Sequence, residues 1–509
     1  MTKPADEWEQ RLSGQPLRRG GFTPELKNRV RERIRMRASK TKLAVRAAAV
    51  MLCAALISMG WLYREDMKQL AMGKHQPAYL SAVTENQLAD EGEIRLKVQG
   101  TATSNFMMNY GKAFVIRHPN VQFDVVQAGS STSFPTKEQF VEWMEREQPD
   151  VMSLPLDLFT ELAREGKLQP LDASIKKDGF DLEAFHKPVI QLLREAGAGE
   201  LYGLAPEFSS MAVYVNKELF AKYEVPLPQD GMSWEELLET AKRFGGRGDE
   251  VAGLASAYSN APYFLIQMIG EAKGLRTVSA DGKTVTFDTP SWRTVWDEVS
   301  QGIKQGWIDY REPLDTNGNT PFEDVLEEDP FINGKAAMYL GGNYFMARLR
   351  YAESNMKADL DWMTVSEPVD PVYSVRGTSF AVPTVFAIRA DSPNTKVAWE
   401  VLKHLASKEI GQKLARKSGF YSPLTSRLGV LPKADEEQWR GFYQISPDPA
   451  ILLDVAVSRP ENSRSIQRYD LITEAVTAVI SGEQTVDEAL SRLQQEVEKE
   501  LAQASEGEQ

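Results

Sequence analysis

From about residue 93 onward, the spacing of hydrophobic and polar residues switches between the period of a strand and the period of a helix. Residues 94–100 (IRLKVQG) and 121–127 (VQFDVVQ) alternate as β-strands do, and the segment between them has the longer apolar period of a helix. A second helix is predicted at about 136–147 and a third strand at 150–154. This strand–helix–strand order predicts a parallel sheet, so the loops that follow the strands should share one edge of it.

A second informative pattern is FINGKAAMYLGGNYF at 331–345. It opens with an Asn-Gly turn signal, and the short apolar run at 336–340 predicts a buried strand. The glycine pair at 341–342 lets the backbone approach another group closely, and Asn343 is placed to cap a following helix. The stretch therefore predicts a strand-to-helix corner, where α/β sheets tend to hold ligands.

One long apolar segment lies near the start of the chain. Residues 43–63 contain a single charge, Arg46, and the part that follows it is about 17 residues long, close to the lower limit for crossing a bilayer. Basic residues at 29–42 precede the segment, and Trp61 lies at its far end. We therefore predict a signal anchor in the cell membrane with a cytoplasmic N-terminus and an extracellular main body.

Other interpretations of this end of the chain stay open. A cleaved signal peptide is disfavoured because residues 1–42 are much longer than the usual charged leader. Lipidation at Cys53 is disfavoured because Leu52 stands where a lipobox has Gly or Ala. The basic residues could bind nucleic acid, but beside an apolar span they are more typical of a topology signal. The cytoplasmic segment 1–42 could also dock a partner protein, and the polar residues 64–92 are predicted to form a spacer.

Composition narrows the class of protein. The chain has 509 residues, enough for roughly two or three domains, and 42% of them are apolar. The net charge of the whole chain is −13, but its first part is basic. Residues 1–46 carry 13 Lys+Arg and 5 Asp+Glu. The remainder is strongly acidic, which argues against nucleic acid as a partner because phosphate binding needs clustered Lys and Arg.

The sequence offers little for catalysis or metal binding. Cys53 is the only cysteine, which excludes intrachain disulfides and cysteine-based zinc sites, and the four histidines lack metal-binding spacing. The loop from Asp315 fails as a calcium-binding EF-hand because Thr320 and Leu326 stand where Gly and Glu are needed. No catalytic triad order, P-loop or dinucleotide fingerprint stands out. We predict no enzyme activity, no cofactor and no metal.

Several segments carry motifs that occur together in one family. They include QPDVMSLPLDLF, LYGLAPEFSSMAVYVNKELF, VRGTSFAVP and the closing SGEQTVDEALSRLQQEVEKEL. In this combination the chain resembles the extracellular solute-binding proteins of sugar ABC transporters, family 1, which are related to maltose-binding protein. The matching segments, over roughly residues 93–503, are 148–172, 201–244, 331–345, 375–424 and 481–501.

The resemblance implies an α/β protein with a two-lobed, periplasmic-binding-protein-like (type II) fold, here preceded by a single transmembrane helix. We place lobe one at 93–205 plus 375–430 and lobe two at 206–374 plus 431–505. The lobes would close on a ligand held between them.

A sugar ligand has hydroxyls around its rim and C–H groups above and below the ring, so its site needs aromatic surfaces and paired polar groups. The loops that the resemblance places at the cleft supply both kinds. The candidate ligand-binding residues are Thr103, Ser104, Asp157, Glu207, Phe208, Ser209, Asn343, Tyr344, Gly377, Ser379 and Tyr421.

Some of these residues have a structural alternative. Asp157 could cap the helix that begins there, and Phe208 and Phe345 could be core residues. Arg376, beside the glycine loop, could pair with an acidic group or with an anionic sugar.

These patterns predict a membrane-tethered extracellular protein, anchored in the lipid bilayer through residues 43–63. It would capture a mono- or oligosaccharide by hinge closure and deliver it to the permease subunits of an ABC transporter. The alternative is a ligand-sensing membrane protein whose residues 1–42 dock a cytoplasmic regulatory partner.

Overall fold

The chain divides into two units, Met1–Gln87 and Leu88–Gln509. The computed structural model describes residues 88, 92–100, 106–128, 136–245, 251–279, 284–311, 322–356, 358–370, 379–416, 424–457 and 464–506. The predicted cytoplasmic segment 1–42, the predicted membrane span 43–63 and nearly all of the spacer 64–92 therefore lie outside the described residues. Within those ranges, no helix combines the length and apolar character that a bilayer crossing needs.

The first sheet has five strands and begins with the predicted strand–helix–strand pattern. The strands are β1 (Ile94–Gln99), β2 (Val121–Val126), β3 (Val151–Leu154), β4 (Gly203–Leu204) and β10 (Val385–Ile388). Their order is β2-β1-β3-β10-β4, with β1 parallel to β2 and β3, and with β10 antiparallel to β3 and β4. The three strands predicted at the start of this region are confirmed.

The second sheet has four strands, β6 (Met211–Asn216), β7 (Ala252–Ser256), β8 (Ala336–Gly342) and β9 (Trp362–Ser366). Their order is β7-β8-β6-β9, with β6 antiparallel to β8 and β9 and with β7 parallel to β8. A separate pair joins β5 (Glu207–Phe208) to β11 (Leu424–Thr425). The buried strand predicted at 336–340 is confirmed, and it extends through both glycines because Gly341 and Gly342 pair with β6.

Helices cover the sheets. They are α1 (Lys112–Arg117), α2 (Lys137–Glu147), α3 (Leu156–Arg164), α4 (Asp172–Asp178), α5 (Lys187–Ala196), α6 (Lys217–Lys222), α7 (Trp234–Lys242), α8 (Tyr263–Ala272), α9 (Pro290–Lys304), α10 (Phe322–Glu327), α11 (Tyr344–Tyr351), α12 (Thr395–Leu405), α13 (Lys408–Arg416), α14 (Glu436–Trp439), α15 (Pro449–Val457), α16 (Arg464–Ser481) and α17 (Val486–Glu506). Capping boxes explain two starts: Thr136 with Gln139 begins α2, and Ser233 with Glu236 begins α7.

Alternate residues of β6 enter two different hydrophobic clusters, as the period of a strand requires. Ala212 and Tyr214 belong to the cluster that also holds the first sheet, whereas Val213 and Val215 belong to a cluster formed with α16 and α17. The second sheet is therefore buried on both faces. Its strand β8, which has no exposed position, reads in the sequence as a continuous apolar run for that reason.

The chain passes between the two sheets in segments that are bonded to one another. Ser209 N donates to Ala381 O at 2.8 Å, and Ala381 N donates back to Ser209 O at 2.9 Å. Met211 N donates to Ser379 Oγ at 2.8 Å. These bonds join the outgoing segment before β6 to the returning segment before β10. The exact residue limits of the two predicted lobes stay a prediction.

Candidate functional site

A cavity of about 310 Å³ opens at the edge of the first sheet where β1 and β3 end. Because β1 and β3 are parallel, the residues at their carboxyl ends meet there, as the sequence pattern predicted. Ser153 N donates to Gln99 Oε1 at 3.1 Å, which ties the two strand ends together. The residues that line the cavity include Gln99, Phe106, Tyr110, Ser153, Glu207 and Phe386.

Three aromatic rings form one wall of the cavity. Tyr110 meets Phe386 edge to face with ring centroids 5.8 Å apart, and it is tilted against Phe106 at 6.1 Å. Such a wall offers flat apolar surface beside polar groups, the combination that a ligand with both C–H faces and hydroxyls needs.

Glu207 is the charged side chain among the described residues of the cavity lining. It lies in β5, which is held by its pairing with β11 through Thr425 opposite Glu207 and Leu424 opposite Phe208. Tyr110 Oη donates to Glu207 Oε1 at 3.1 Å. Burial and the neighbouring carboxylate raise the pKa of Tyr110 well above its ordinary value, so its hydroxyl remains a donor at neutral pH.

The predicted residue Asp157 lies in the first turn of α3 and is exposed. Its Oδ1 accepts from Leu158 N at 2.8 Å, so its recorded bond is local to the helix start. A negative charge in the first turn is favourable there. Asp157 is absent from the described lining of the cavity, which favours the helix-start interpretation, and a ligand contact at Asp157 stays a prediction.

The ring of Phe208 lies in the core, not on the cavity wall. It is fully buried and stacks on His186 at 4.8 Å and on Phe380 at 5.4 Å, with Tyr443 edge-on at 5.2 Å. Phe345 is also fully buried. The structure therefore favours the core alternative for both phenylalanines, and the backbone of Phe208 serves to hold Glu207 in place.

Ser209 and Ser379 lie in the two segments that pass between the sheets. Ser379 Oγ accepts from Met211 N, and Ser209 Oγ donates to Ala381 O at 3.5 Å. Their recorded side-chain bonds thus connect the crossing segments, and contact with a ligand stays a prediction. The remaining predicted residues Thr103, Ser104, Gly377 and Tyr421, and also Arg376, lie outside the described residues.

Asn343 and Tyr344 form the predicted corner at the end of β8. Asn343 takes the N-cap position of α11, although its side chain does not cap the first turn. Tyr344 is half-buried with the guanidinium of Arg348 at 5.7 Å from its ring centroid. A Cβ on Gly342 would lie 3.0 Å from the Tyr344 ring, so the glycine lets this ring pack closely against the end of β8. Neither corner residue is part of the described cavity lining. Among the predicted site residues that the structure describes, Glu207 is the one in that lining.

A buried carboxyl is hydrogen-bonded to the returning segment. Glu367 follows β9 directly and is 1% exposed. Its Oε1 accepts from Ser379 N at 3.3 Å, whereas its Oε2 has no hydrogen-bond partner among the described residues. Burial raises the pKa of Glu367 to about 7.

This raised pKa predicts a stability change with pH that a Glu367→Gln variant should lack. The folded chain holds the Glu367 proton more tightly than the unfolded chain, so the stabilisation is complete below the ordinary pKa of 4.5 and is lost as the pH rises to about 7. The unfolding free energy of the wild type, measured relative to Glu367→Gln by urea denaturation, should fall by about 3 kcal/mol across that window. Parallel pH profiles for the two proteins would contradict this account of Glu367.

Residues 99–412 match the sequence profile of the bacterial extracellular solute-binding proteins. The protein belongs to this family. The resemblance found in the sequence is thereby confirmed, and because the family binds solutes without converting them, this solute-binding protein is not an enzyme.

A curated relative of this solute-binding protein is the sn-glycerol-3-phosphate-binding periplasmic protein of Rhizobium meliloti (strain 1021). The two are 23% identical over 356 residues, which cover 65% of this chain and 76% of the relative.

Two solved structures share its fold. An extracellular solute-binding protein of family 1 from Alicyclobacillus acidocaldarius matches with a TM-score of 0.56 at 16% identity, over 81% of this chain and 99% of that chain. A sugar transporter of Rhizobium etli in an open conformation matches with a TM-score of 0.52 at 19% identity, over 79% and 98%. These similarities confirm the two-lobed α/β fold. The sensing alternative, which rests on residues 1–42, receives no support from them.

Several residues that line the cavity were not predicted from the sequence. Gln99 and Ser153 lie at the ends of correctly predicted strands, so the rule that ligands bind at this sheet edge could have found them. Tyr110 gave no signal because a π turn, Met107–Gly111, interrupts its helix. Phe386 comes from β10, far along the chain. Among the described residues, no group of three His, Cys, Asp or Glu side chains could hold a metal ion.

Proposed function

We propose that this solute-binding protein captures a carbohydrate outside the cell, between its two lobes, and delivers it to the permease subunits of an ABC transporter. The observation that carries the proposal is the cavity at the edge of the first sheet, where the Glu207 carboxylate stands beside an aromatic wall. A carboxylate accepts hydrogen bonds from neighbouring sugar hydroxyls, and these charge-assisted bonds are stronger than neutral ones. The aromatic rings supply the apolar surface for the C–H faces.

The charge of the cavity favours a neutral hydroxylated ligand. Its described lining contains a carboxylate and no lysine or arginine. A phosphate group would be repelled by Glu207 and would find no cation among those residues. The Rhizobium meliloti relative is named for binding sn-glycerol 3-phosphate, so that compound is an informative competitor to test.

Closure would bring the second lobe against the ligand. Tyr344 is suited to this role because it lies at the end of β8, half-buried, at the kind of strand end where α/β sheets hold ligands. Contacts from both lobes stabilise the closed state over the open one, and this difference supplies the affinity.

Replacing Tyr344 with alanine is expected to weaken sugar binding by at least about tenfold, because it removes an aromatic contact and a hydroxyl partner from the second lobe. Binding would be measured by titration calorimetry. Tyr351→Ala, at the other end of the same helix, is the matched control and should keep the wild-type affinity. Equal affinity of wild type and Tyr344→Ala for the sugar would show that Tyr344 does not contact the ligand.

We further propose that residues 43–63 tether the protein to the cell membrane with residues 1–42 in the cytoplasm. The support is the apolar run and the basic residues before it. Protease added to intact spheroplasts should digest the main body and spare an epitope placed at residue 1. Digestion of both, or release of the intact protein into the medium, would contradict the tether.

The proposed ligand class is tested by thermal unfolding of the full-length chain with a panel of neutral sugars and polyols, with sn-glycerol 3-phosphate, amino acids and short peptides for comparison. A ligand at 100 times its dissociation constant should add about 2.7 kcal/mol to the unfolding free energy. We expect the midpoint to rise with neutral sugars or polyols. A rise with the phosphorylated compound alone, or with amino acids or peptides alone, would overturn the proposed ligand class.

A further inference from the structure

A π turn shapes the helix that borders the cavity. Residues Met107–Gly111 form this turn, and α1 continues from it. A π turn holds more residues than an α turn, so it changes which side chains face a given direction, and such turns are frequent at functional sites. Asn109 and Tyr110 of this turn both line the cavity, and Tyr110 donates a hydrogen bond to the Glu207 carboxylate.

Two neighbouring helices hold the π turn through its backbone carbonyls. Lys413 Nζ, on α13, donates to Met108 O and to Asn109 O, both at 2.7 Å. His404, on α12, has its Nε2 3.1 Å from Tyr110 O. These carbonyls are taken by side chains of other helices, so the turn is held from outside its own helix. The position of Tyr110 is thereby fixed by the packing of α12 and α13.

The side chain of Tyr110 is also constrained. Its ring packs against Phe386 and Phe106, and its hydroxyl donates to Glu207 Oε1. Glu207 belongs to a different part of the chain, and this hydrogen bond spans 97 residues of sequence. Each oxygen of a carboxylate can accept more than one hydrogen bond, so a donor from Tyr110 orients the group while leaving it able to accept from a ligand.

We propose that Tyr110 is a positioning residue for ligand binding: held by the π turn, it orients the Glu207 carboxylate towards the cavity and so favours ligands that donate hydrogen bonds from hydroxyls. This inference rests on the proposed function, because it assigns Glu207 to the ligand site. It adds a residue, Tyr110, that acts on the ligand through Glu207.

The test is a double-mutant cycle with Tyr110→Phe and Glu207→Gln in the full-length chain. Titration calorimetry would use D-glucose, maltose and D-mannitol as probes. Tyr110→Phe keeps the ring packing and should weaken binding of the sugar that wild type binds best by at least about fivefold, because the carboxylate loses the hydrogen bond from the Tyr110 hydroxyl. In the Glu207→Gln background the same substitution should change the affinity by less than about twofold, because the group that it orients is already altered.

Tyr202→Phe is the matched control, because Tyr202 Oη donates to Glu200 Oε2 at 2.9 Å outside the cavity. It should leave the affinity unchanged in both backgrounds. An equal loss from Tyr110→Phe in both backgrounds would indicate a general structural role and overturn the positioning role. Wild-type affinity in Tyr110→Phe would also overturn it while leaving the proposed function standing. If wild type bound none of the probes, the proposed function and this inference would fail together.

Discussion

Sugar binding at least about ten times weaker than wild type is the expected result of Glu207→Ala. The substitution removes the described charged acceptor of the cavity and leaves the Tyr110 hydroxyl without this acceptor. Loss of one partner from a buried hydrogen bond costs about 1 to 3 kcal/mol, and about 1.4 kcal/mol corresponds to a tenfold change in affinity. Titration calorimetry with the same sugar would measure the loss.

Glu200→Ala provides the comparison for Glu207→Ala. Glu200 also accepts from a tyrosine, Tyr202, but it is exposed and is not among the described lining of the cavity. We expect wild-type affinity from Glu200→Ala, and cooperative unfolding of both variants would show that they are folded. If Glu207→Ala bound the sugar as tightly as wild type, the ligand site would have to lie elsewhere.

The second large effect is expected from Phe208→Ala, which should lower the free energy of unfolding by about 3 to 5 kcal/mol. Phe208 is fully buried within a cluster of His186, Phe380 and Tyr443, so alanine would leave a cavity there. Urea denaturation followed by tryptophan fluorescence would measure the change. Leu428→Ala is a suitable control because Leu428 is 40% exposed, and its truncation should change stability by less than about 0.5 kcal/mol.

A second variant, Phe208→Leu, distinguishes a core role of Phe208 from a direct contact with the ligand. Phe208→Leu keeps most of the apolar volume, so a core residue would give near-normal sugar affinity in that variant. Loss of sugar binding in Phe208→Leu with unchanged stability would instead identify the ring as a surface that contacts the ligand.

Part of the sheet architecture follows from local patterns in the sequence. The strands β1, β2 and β3 were predictable because their residues alternate or run apolar between clear breakers, and β8 because both of its faces are buried. The corner at Asn343 was predictable because a strand, two glycines and a helix follow one another directly. In contrast, β10 joins the first sheet from a distant part of the chain, and no local period shows which strands it will lie between.

The site was predictable only in part, and the reason is geometric. Glu207 was found through the resemblance to a family, and Gln99 and Ser153 follow from the strand ends. Tyr110 could not be found, because the π turn changes the direction of its side chain and is held by Lys413 and His404, which come from far along the chain. Side chains that are positioned by such distant packing leave no periodic trace in the sequence.

One calorimetric titration decides whether this solute-binding protein captures a carbohydrate in the cavity beside Glu207. The neutral sugar or polyol that raises the unfolding midpoint most would be titrated into full-length wild-type protein in a calorimeter, in parallel with Glu207→Ala. We predict saturable heat with one ligand per chain for wild type and at least about tenfold weaker binding for the variant. The absence of saturable binding to a cooperatively folded wild type, or identical binding curves for the two proteins, would contradict the claim.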